Sequence, residues 1–421
     1  MLVSLDRLWR HLTDRTDRAF ATLKGNGQYR WYFLGSFMLS MGFWIQNTAQ
    51  AWLVLELTHS ASMVGLLVLY AFGPRAAFGL FGGVVVDRYD ERLVLLWSHV
   101  GLMLCAAALA ILAASGDIAV GHLFAIAAIR SLLLCVAGPA RTKFVRSMVG
   151  RENFTNVLGL GASGDHFARI VGPALAGLMI SALGATPCFM ANAVGFLAMI
   201  LAVLRIRRQR PTAGGDHRRR PSPVAALVEG LRYVSGVPYL SALMLALFLM
   251  TFIPMSFGTT LPIFAVKTLG RDATAYGTLV SGLAFGSLVG SLGVASRRQT
   301  NLVWIFLCAA GLGAAQLALV FERSLIVCVP TLAFAGFFMT SFVVSISSIL
   351  LSEAEDGFQG RVGSLSGYVV QTIGPLGSSI SGWLSDVGGT DLAFGVGACF
   401  AIATAATGAL VKRAVKPAPQ T

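Results

Sequence analysis

Gly82-Gly83-Val84-Val85-Val86-Asp87-Arg88-Tyr89-Asp90-Glu91-Arg92 is the stretch on which the reading of the fold turns. It gathers charge into a short turn between two largely apolar blocks, Val64–Val86 and Leu93–Ala114. Each block reaches the roughly 20 residues that an α-helix needs to cross about 30 Å of hydrocarbon. Lipid offers no partner to backbone N–H and C=O groups, so such blocks must be helical. A charged turn between them makes a transmembrane hairpin. Moving outward, similar blocks recur at Tyr29–Leu55 and Val120–Ala137, and again toward Val194–Leu204. Over the 421 residues, 56% are hydrophobic and 12% charged. That charged fraction is about half of what a soluble domain carries.

The length rule places twelve spans, near 31–55, 63–86, 94–114, 119–139, 157–183, 186–204, 239–266, 275–296, 302–321, 324–351, 362–385 and 390–411. An alternative count merges or drops a span around Pro187 or Pro330. Twelve puts both termini and the basic middle segment on one side. All but six of the 32 basic residues then lie on that side. Lys267, Arg271 and Arg323 face the other side, and Arg75, Arg130 and Arg169 fall inside spans. Lys and Arg mark cytoplasmic loops, so both termini are expected in the cytosol of a bacterial cell, with the protein in the inner membrane. The same asymmetry accounts for a net charge of +13 without any nucleic-acid partner.

The chain is expected to divide into a cytoplasmic amphipathic segment (1–30), a six-helix bundle (31–204), a basic cytoplasmic linker (205–238), a second six-helix bundle (239–411) and a short tail (412–421). In the first segment Leu5, Leu8, Trp9, Leu12 and Phe20 fall close to one helical face, as in a surface-lying helix. No cleavable signal peptide is expected, because charge runs throughout it. The linker contains RIRRQRPTAGGDHRRRPSP at 205–223, a polar and mobile composition. The six cysteines lie in or beside apolar spans without a CxxC pair and read as packing residues. The two halves echo each other: Gly161 and Pro173 stand 202 residues before Gly363 and Pro375, and Gly65 is matched by Gly277. A duplicated six-helix unit is the pattern of parallel-repeat transporters, whose substrate site lies between the repeats.

The turn quoted first resembles the major facilitator signature G-x-x-x-D-R/K-x-G-R/K-R/K, with Gly83, Asp87, Arg88 and Arg92 at conformational-gate positions. Asp90 stands where the pattern has glycine, and Glu91 where it has a basic residue. Gly83 is expected to let two helices approach, and Asp87 to meet a helix end or an arginine across the halves. The Arg-Tyr-Asp variant is similar to the subgroup that contains the enterobactin exporter and related drug-efflux proteins. So are Trp44-Ile45-Gln46 with Ala51-Trp52-Leu53-Val54-Leu55, and Gly138-Pro139-Ala140-Arg141. Ala168-Arg169-Ile170-Val171-Gly172-Pro173 is close to the antiporter Gly-Pro motif, echoed by Gly374-Pro375. The resemblance covers nearly the whole chain. It implies an all-α, twelve-helix secondary transporter, proton-coupled and exporting a small amphipathic compound such as a siderophore, antibiotic or drug. It leaves substrate identity open, and uptake of a nutrient or flipping of a lysolipid would suit the same fold.

Ionisable groups in a bilayer core cost about 2.5–3.5 kcal/mol each on insertion scales. Asp165 and Arg169 are four apart on one helical face and are expected to pair. Asp165, with His166, is a proton-coupling candidate; a permanent pair that only fixes packing is the other reading. Arg130 resembles the arginine of the family's fourth-helix motif, for which a part in proton transfer is proposed. Arg75 after Pro74 either pairs or faces a wet cavity, where it would suit an anionic ligand. Gln46, Asn47, Gln50 and Gln371 are candidate cavity donors, with Trp44, Phe248, Met250, Phe252, Met255 and Tyr368 as candidate walls. Gly172-Pro173 and Gly374-Pro375 are expected to bend their helices. No HExxH, P-loop or triad is present, so enzyme chemistry, cofactors and metals are not expected. The expected partners are a small-molecule substrate, protons and lipid, with the monomer as the working unit.

Overall fold

The computed structural model describes residues 23, 25–206, 223–297, 301–355 and 357–414. Most of the expected surface helix at 1–30, residues 207–222 of the arginine-rich linker and residues 415–421 of the tail lie outside them. The described residues form helices and short turns. We number them α1 (Gly27–Thr58), α2 (Ala61–Arg88), α3 (Glu91–Ser115), α4 (Val120–Gly150), α5 (Asn153–Leu183) and α6 (Thr186–Arg205). After the linker come α7 (Pro223–Gly236), α8 (Pro238–Thr268), α9 (Ala273–Ala295), α10 (Leu302–Phe321), α11 (Leu325–Ser352), α12 (359–387) and α13 (390–414).

Side-chain caps set the starts of several helices: Asn26 for α1, Ser60 for α2, Asp90 for α3, Asp272 for α9 and Asn301 for α10. The breaks between paired helices fall at glycines in conformations that side chains avoid, Gly150 (φ 73°) and Gly389 (φ 74°). Ten helical runs among the described residues are long and apolar enough to cross a membrane. Gly27–Thr58, with Gln46, Asn47, Thr48 and Gln50 at its centre, is not among them, and one of the ten runs through the Gly388-Gly389 break. With both allowed for, the architecture is consistent with twelve spans.

The surface is apolar and the interior holds polar groups. Trp97, Phe321 and Ile326 are 73%, 82% and 85% exposed, whereas Gln46, Asn192 and Gln316 are buried. In water such a surface would aggregate; against lipid it is the favourable arrangement. The chain is a multi-pass membrane protein.

Helices α1–α6 pack among themselves, as do α8–α13, and the two groups meet along α2 against α12 and α5 against α9. Small residues make both junctions. A Cβ on Gly65 would lie 2.7 Å from the Ser378 carbonyl oxygen, and one on Gly177 would lie 2.5 Å from that of Ala273. Gly382 meets Ala61, and Gly277 meets Pro173, still more tightly. The paired glycines of the repeat, Gly65 and Gly277, thus make equivalent contacts across the halves. These contacts hold together the face that carries the α1–α2, α5–α6 and α8–α9 turns. At the opposite, basic face a Cβ on Gly83, Gly159, Gly161, Gly360 or Gly367 would meet nothing within 4 Å.

One expectation changes here. The end of the linker, α7, is an ordered helix rather than a loose tether. Leu227, Gly230 and Val234 share one face, Tyr233 stacks on Phe358 at 4.3 Å, and Glu229 pairs with Arg361 at 2.8 Å. The backbone stays helical through Gly172-Pro173 and Gly374-Pro375. Gly172 provides close packing, since a Cβ there would lie 2.8 Å from that of Trp44. The interruption in the spans comes in α8, which unwinds at Ile253–Ser256 between the helical pieces Pro238–Phe252 and Phe257–Ile263 and ends in a π-turn at Phe264–Thr268.

Candidate functional site

A cavity of about 300 Å³ lies between the halves, beneath the Gly65 and Gly277 contacts. From α1 it is lined by Phe43, Trp44, Asn47, Thr48 and Gln50. Phe72 of α2, Arg130 of α4 and Arg169 of α5 also line it from the first half, and Met255, Phe257, Leu261, Tyr276 and Met339 face them from the second.

The unwound turn of α8 forms part of this wall. Irregular backbone survives at membrane depth only where its polar groups find partners. Here Gln316 Nε2 donates to the Pro254 carbonyl at 3.1 Å, and Ser256 Oγ donates to that of Phe252 at 3.4 Å. Trp52 stacks on Tyr276 with ring centroids 6.0 Å apart, joining α1 to α9 at the cavity edge.

Arg130 is 6% exposed. Its Nη1 donates to Gln50 Oε1 at 3.0 Å, and its guanidinium lies 5.8 Å from the Phe43 ring centre. Gln50 is held in turn, since its Nε2 donates to the Leu123 carbonyl at 3.1 Å. No carboxylate is among the residues that line the cavity.

The expected Asp165–Arg169 ion pair is not formed: none of the ion pairs among the described residues joins them. They share Trp44 instead. The indole Nε1 donates to Asp165 Oδ1 at 3.4 Å, and the Arg169 guanidinium lies 5.1 Å from the ring centre. Asp165 is exposed and His166 half-buried.

Of the cavity donors read from the sequence, Asn47 and Gln50 line the cavity and Gln46 does not. Gln46 accepts from Asn192 Nδ2 at 2.6 Å, inside the first bundle. Gln371 is exposed and Phe252 packs on Phe248 and Phe400, away from the cavity. Arg75 lies over Phe72 at 4.8 Å, one layer behind the wall. Among the candidate wall residues Trp44 and Met255 reach the cavity; Phe248, Met250 and Tyr368 do not. Phe43 and Tyr276 were missed. Phe43, Asn47 and Gln50 are spaced i, i+4, i+7, so helical phase was the signal that separates them from Gln46.

The gate motif is divided. Arg92 stays within its own half, its Nη2 donating to the Val203 and Leu204 carbonyls, both at 3.0 Å, at the end of α6. Close approach falls to Gly82, which lies against the Cys135 carbonyl, and not to Gly83. Asp87 and Arg88 stand exposed at the basic face.

The family model described as "Transmembrane secretion effector", of major facilitator type, matches residues 18–418. The chain belongs to this family. Its members are transporters, not enzymes. Among curated relatives, the multidrug efflux pump Tap of Mycolicibacterium fortuitum is 27% identical over 362 residues, covering 83% of this chain and 87% of the pump. The staphyloferrin A transporter of Staphylococcus aureus is 22% identical over 265 residues, 62% of this chain and 66% of that transporter. Among solved structures, a bacterial homologue of the human lysosomal transporter Spinster, in an inward-facing and unoccupied conformation, aligns with a TM-score of 0.72. It is 13% identical and covers 94% of this chain and 100% of that one, a likeness of fold.

Proposed function

We propose that this major facilitator transporter is a proton-driven exporter of a small amphipathic organic compound, working as a monomer in the bacterial cytoplasmic membrane. The observation that carries the reading is the cavity between the halves, walled by aromatic and methionine side chains with a few polar groups. It lies under a face closed by α2–α12 and α5–α9, while at the basic face Gly83, Gly161 and Gly360 have no neighbour that a Cβ would meet within 4 Å. Lys and Arg enrichment puts that basic face in the cytosol. The cavity is then poised to load from inside, as an exporter requires. The efflux pump and the siderophore transporter named above support the substrate type.

Export follows when the halves rock about the cavity, parting the α2–α12 and α5–α9 contacts and closing the basic ends. Gly83, Asp87 and Arg88 would then meet the other half, which gives the gate motif its role in the state not seen here. Asp165, with His166, Arg169 and Arg130, is the candidate coupling group. A proton arriving on Asp165 would weaken its hold on Trp44, a residue of the cavity wall.

The reading is tested by accumulation of a dye or siderophore substrate in cells with and without the protein. Lower intracellular substrate in its presence, abolished by collapsing the proton gradient, is expected. Higher accumulation would mean uptake, and export sustained by ATP after the gradient is gone would end the secondary-transport reading.

A further inference from the structure

We propose that the Arg130–Gln50 corner of the cavity is a subsite for the carboxylate of an amphipathic carboxylic acid. The proposal rests on the transporter reading and deepens it, because it names the chemistry of the cargo. Two arginines line the cavity, and they differ. Arg169 has the Asp165 carboxylate nearby, through the indole that both contact. Among the described residues Arg130 has no such companion: its one hydrogen-bond partner is the neutral Gln50, and its Nε has no acceptor.

A guanidinium withdrawn from water without a counter-charge is costly to keep. Gln50 cannot supply the charge, yet it is built to hold the group in place. Its amide nitrogen is committed to the Leu123 carbonyl, so its oxygen must face Arg130. The corner is therefore ordered, positive and lacking an anion. A planar carboxylate matches a guanidinium in shape and charge. The rings of Phe43, Trp44 and Tyr276, with Met255, supply walls for the apolar body of the same molecule. The cavity volume, about 300 Å³, suits a bicyclic aromatic acid.

The test uses the full chain in lipid nanodiscs and three probes with one apolar body: naphthalene-2-acetate, its primary amide and 2-(2-naphthyl)ethylamine. Binding is measured by titration calorimetry. The acetate is expected to bind at least about tenfold more tightly than the amide, the ratio that a charge-assisted hydrogen bond supplies, with the amine weakest. Arg130→Gln should bring the acetate to the level of the amide. Gln50→Glu should do the same with Arg130 still present, by giving it an internal counter-ion, and Arg130→Lys should restore part of the preference. A wild-type protein that binds the amide or amine as well as the acetate, or none of the three, overturns the proposal. So does an Arg130→Gln protein that keeps the preference. These ratios need no transport, so the export reading can fail in cells while the preference stands, or the reverse.

Discussion

Asp386 on α12 accepts a hydrogen bond from the Ser60 hydroxyl at 2.6 Å, across the junction between the two halves. The same carboxylate accepts from the Ala61 and Ser62 backbone N–H groups, both at 2.8 Å. An acid of one half thus caps the first turn of α2 in the other, where the helix dipole favours negative charge. The second junction inverts the arrangement: Asp272 caps its own helix α9, and Ser181 of α5 reaches its hydroxyl neighbour Thr274 at 2.9 Å. The closed face is latched at both junctions.

Asp386→Ala should release the first latch. Charge-assisted bonds contribute about 1.5–3 kcal/mol each when fully desolvated and less at a partly wet helix end, so a population shift of about tenfold or more toward parting of this face is expected. Labelling of a cysteine placed at Ser378, in the junction, by a membrane-impermeant maleimide should accelerate accordingly. An unchanged rate would show that the latch does not hold the face.

Gly277→Val tests the tight crossing at the other junction. A side chain there collides with the Pro173 carbonyl, so the two halves cannot close on that face. Transport should fall to background while each bundle keeps its own packing. The same cysteine reporter should show the face permanently parted; labelling as slow as in the wild type would contradict the prediction.

Arg92 and Asp87 belong to one sequence motif and should fail in different ways. Arg92→Ala removes two donors from the end of α6 and should lower bundle stability by about 1–2 kcal/mol, read as a reduced melting temperature in detergent. Asp87→Asn alters an exposed group and should leave the melting temperature intact while transport is lost. Matching effects of the two changes on stability would argue against this division.

Asp165→Asn should abolish transport driven by an imposed pH gradient in proteoliposomes, while probe binding survives. Trp44→Phe keeps a ring beneath Arg169 but removes the N–H that holds Asp165, and should shift the pH dependence of transport without abolishing it. Full gradient-driven transport by Asp165→Asn would exclude it as the coupling group.

Several parts of this protein were legible in the chain itself. Apolar blocks of bilayer length and the breaks between them follow from the inability of lipid to satisfy a backbone, which no tertiary contact can override. The echo of Gly65 in Gly277 and of Pro173 in Pro375 pointed to two related halves, and the charged turn at 87–92 to the family. Individual polar residues in the spans were also visible as exceptions: Arg130, Gln50, Asn47 and Asp165 all stand at or beside the cavity.

What each exception touches was decided only by the packing of the helices. Gln46 and Asn47 are neighbours in the chain, yet about 100° of helical turn sends one to Asn192 and the other to the cavity. Asp165 and Arg169 have ideal spacing for a pair, and an indole from another helix takes both. The unwinding of α8 depends on Gln316, 62 residues away in the chain, to satisfy the Pro254 carbonyl. Hydrophobic length is a local property and determines that a segment spans; partner choice depends on rotation and depth relative to other helices, which no single segment encodes.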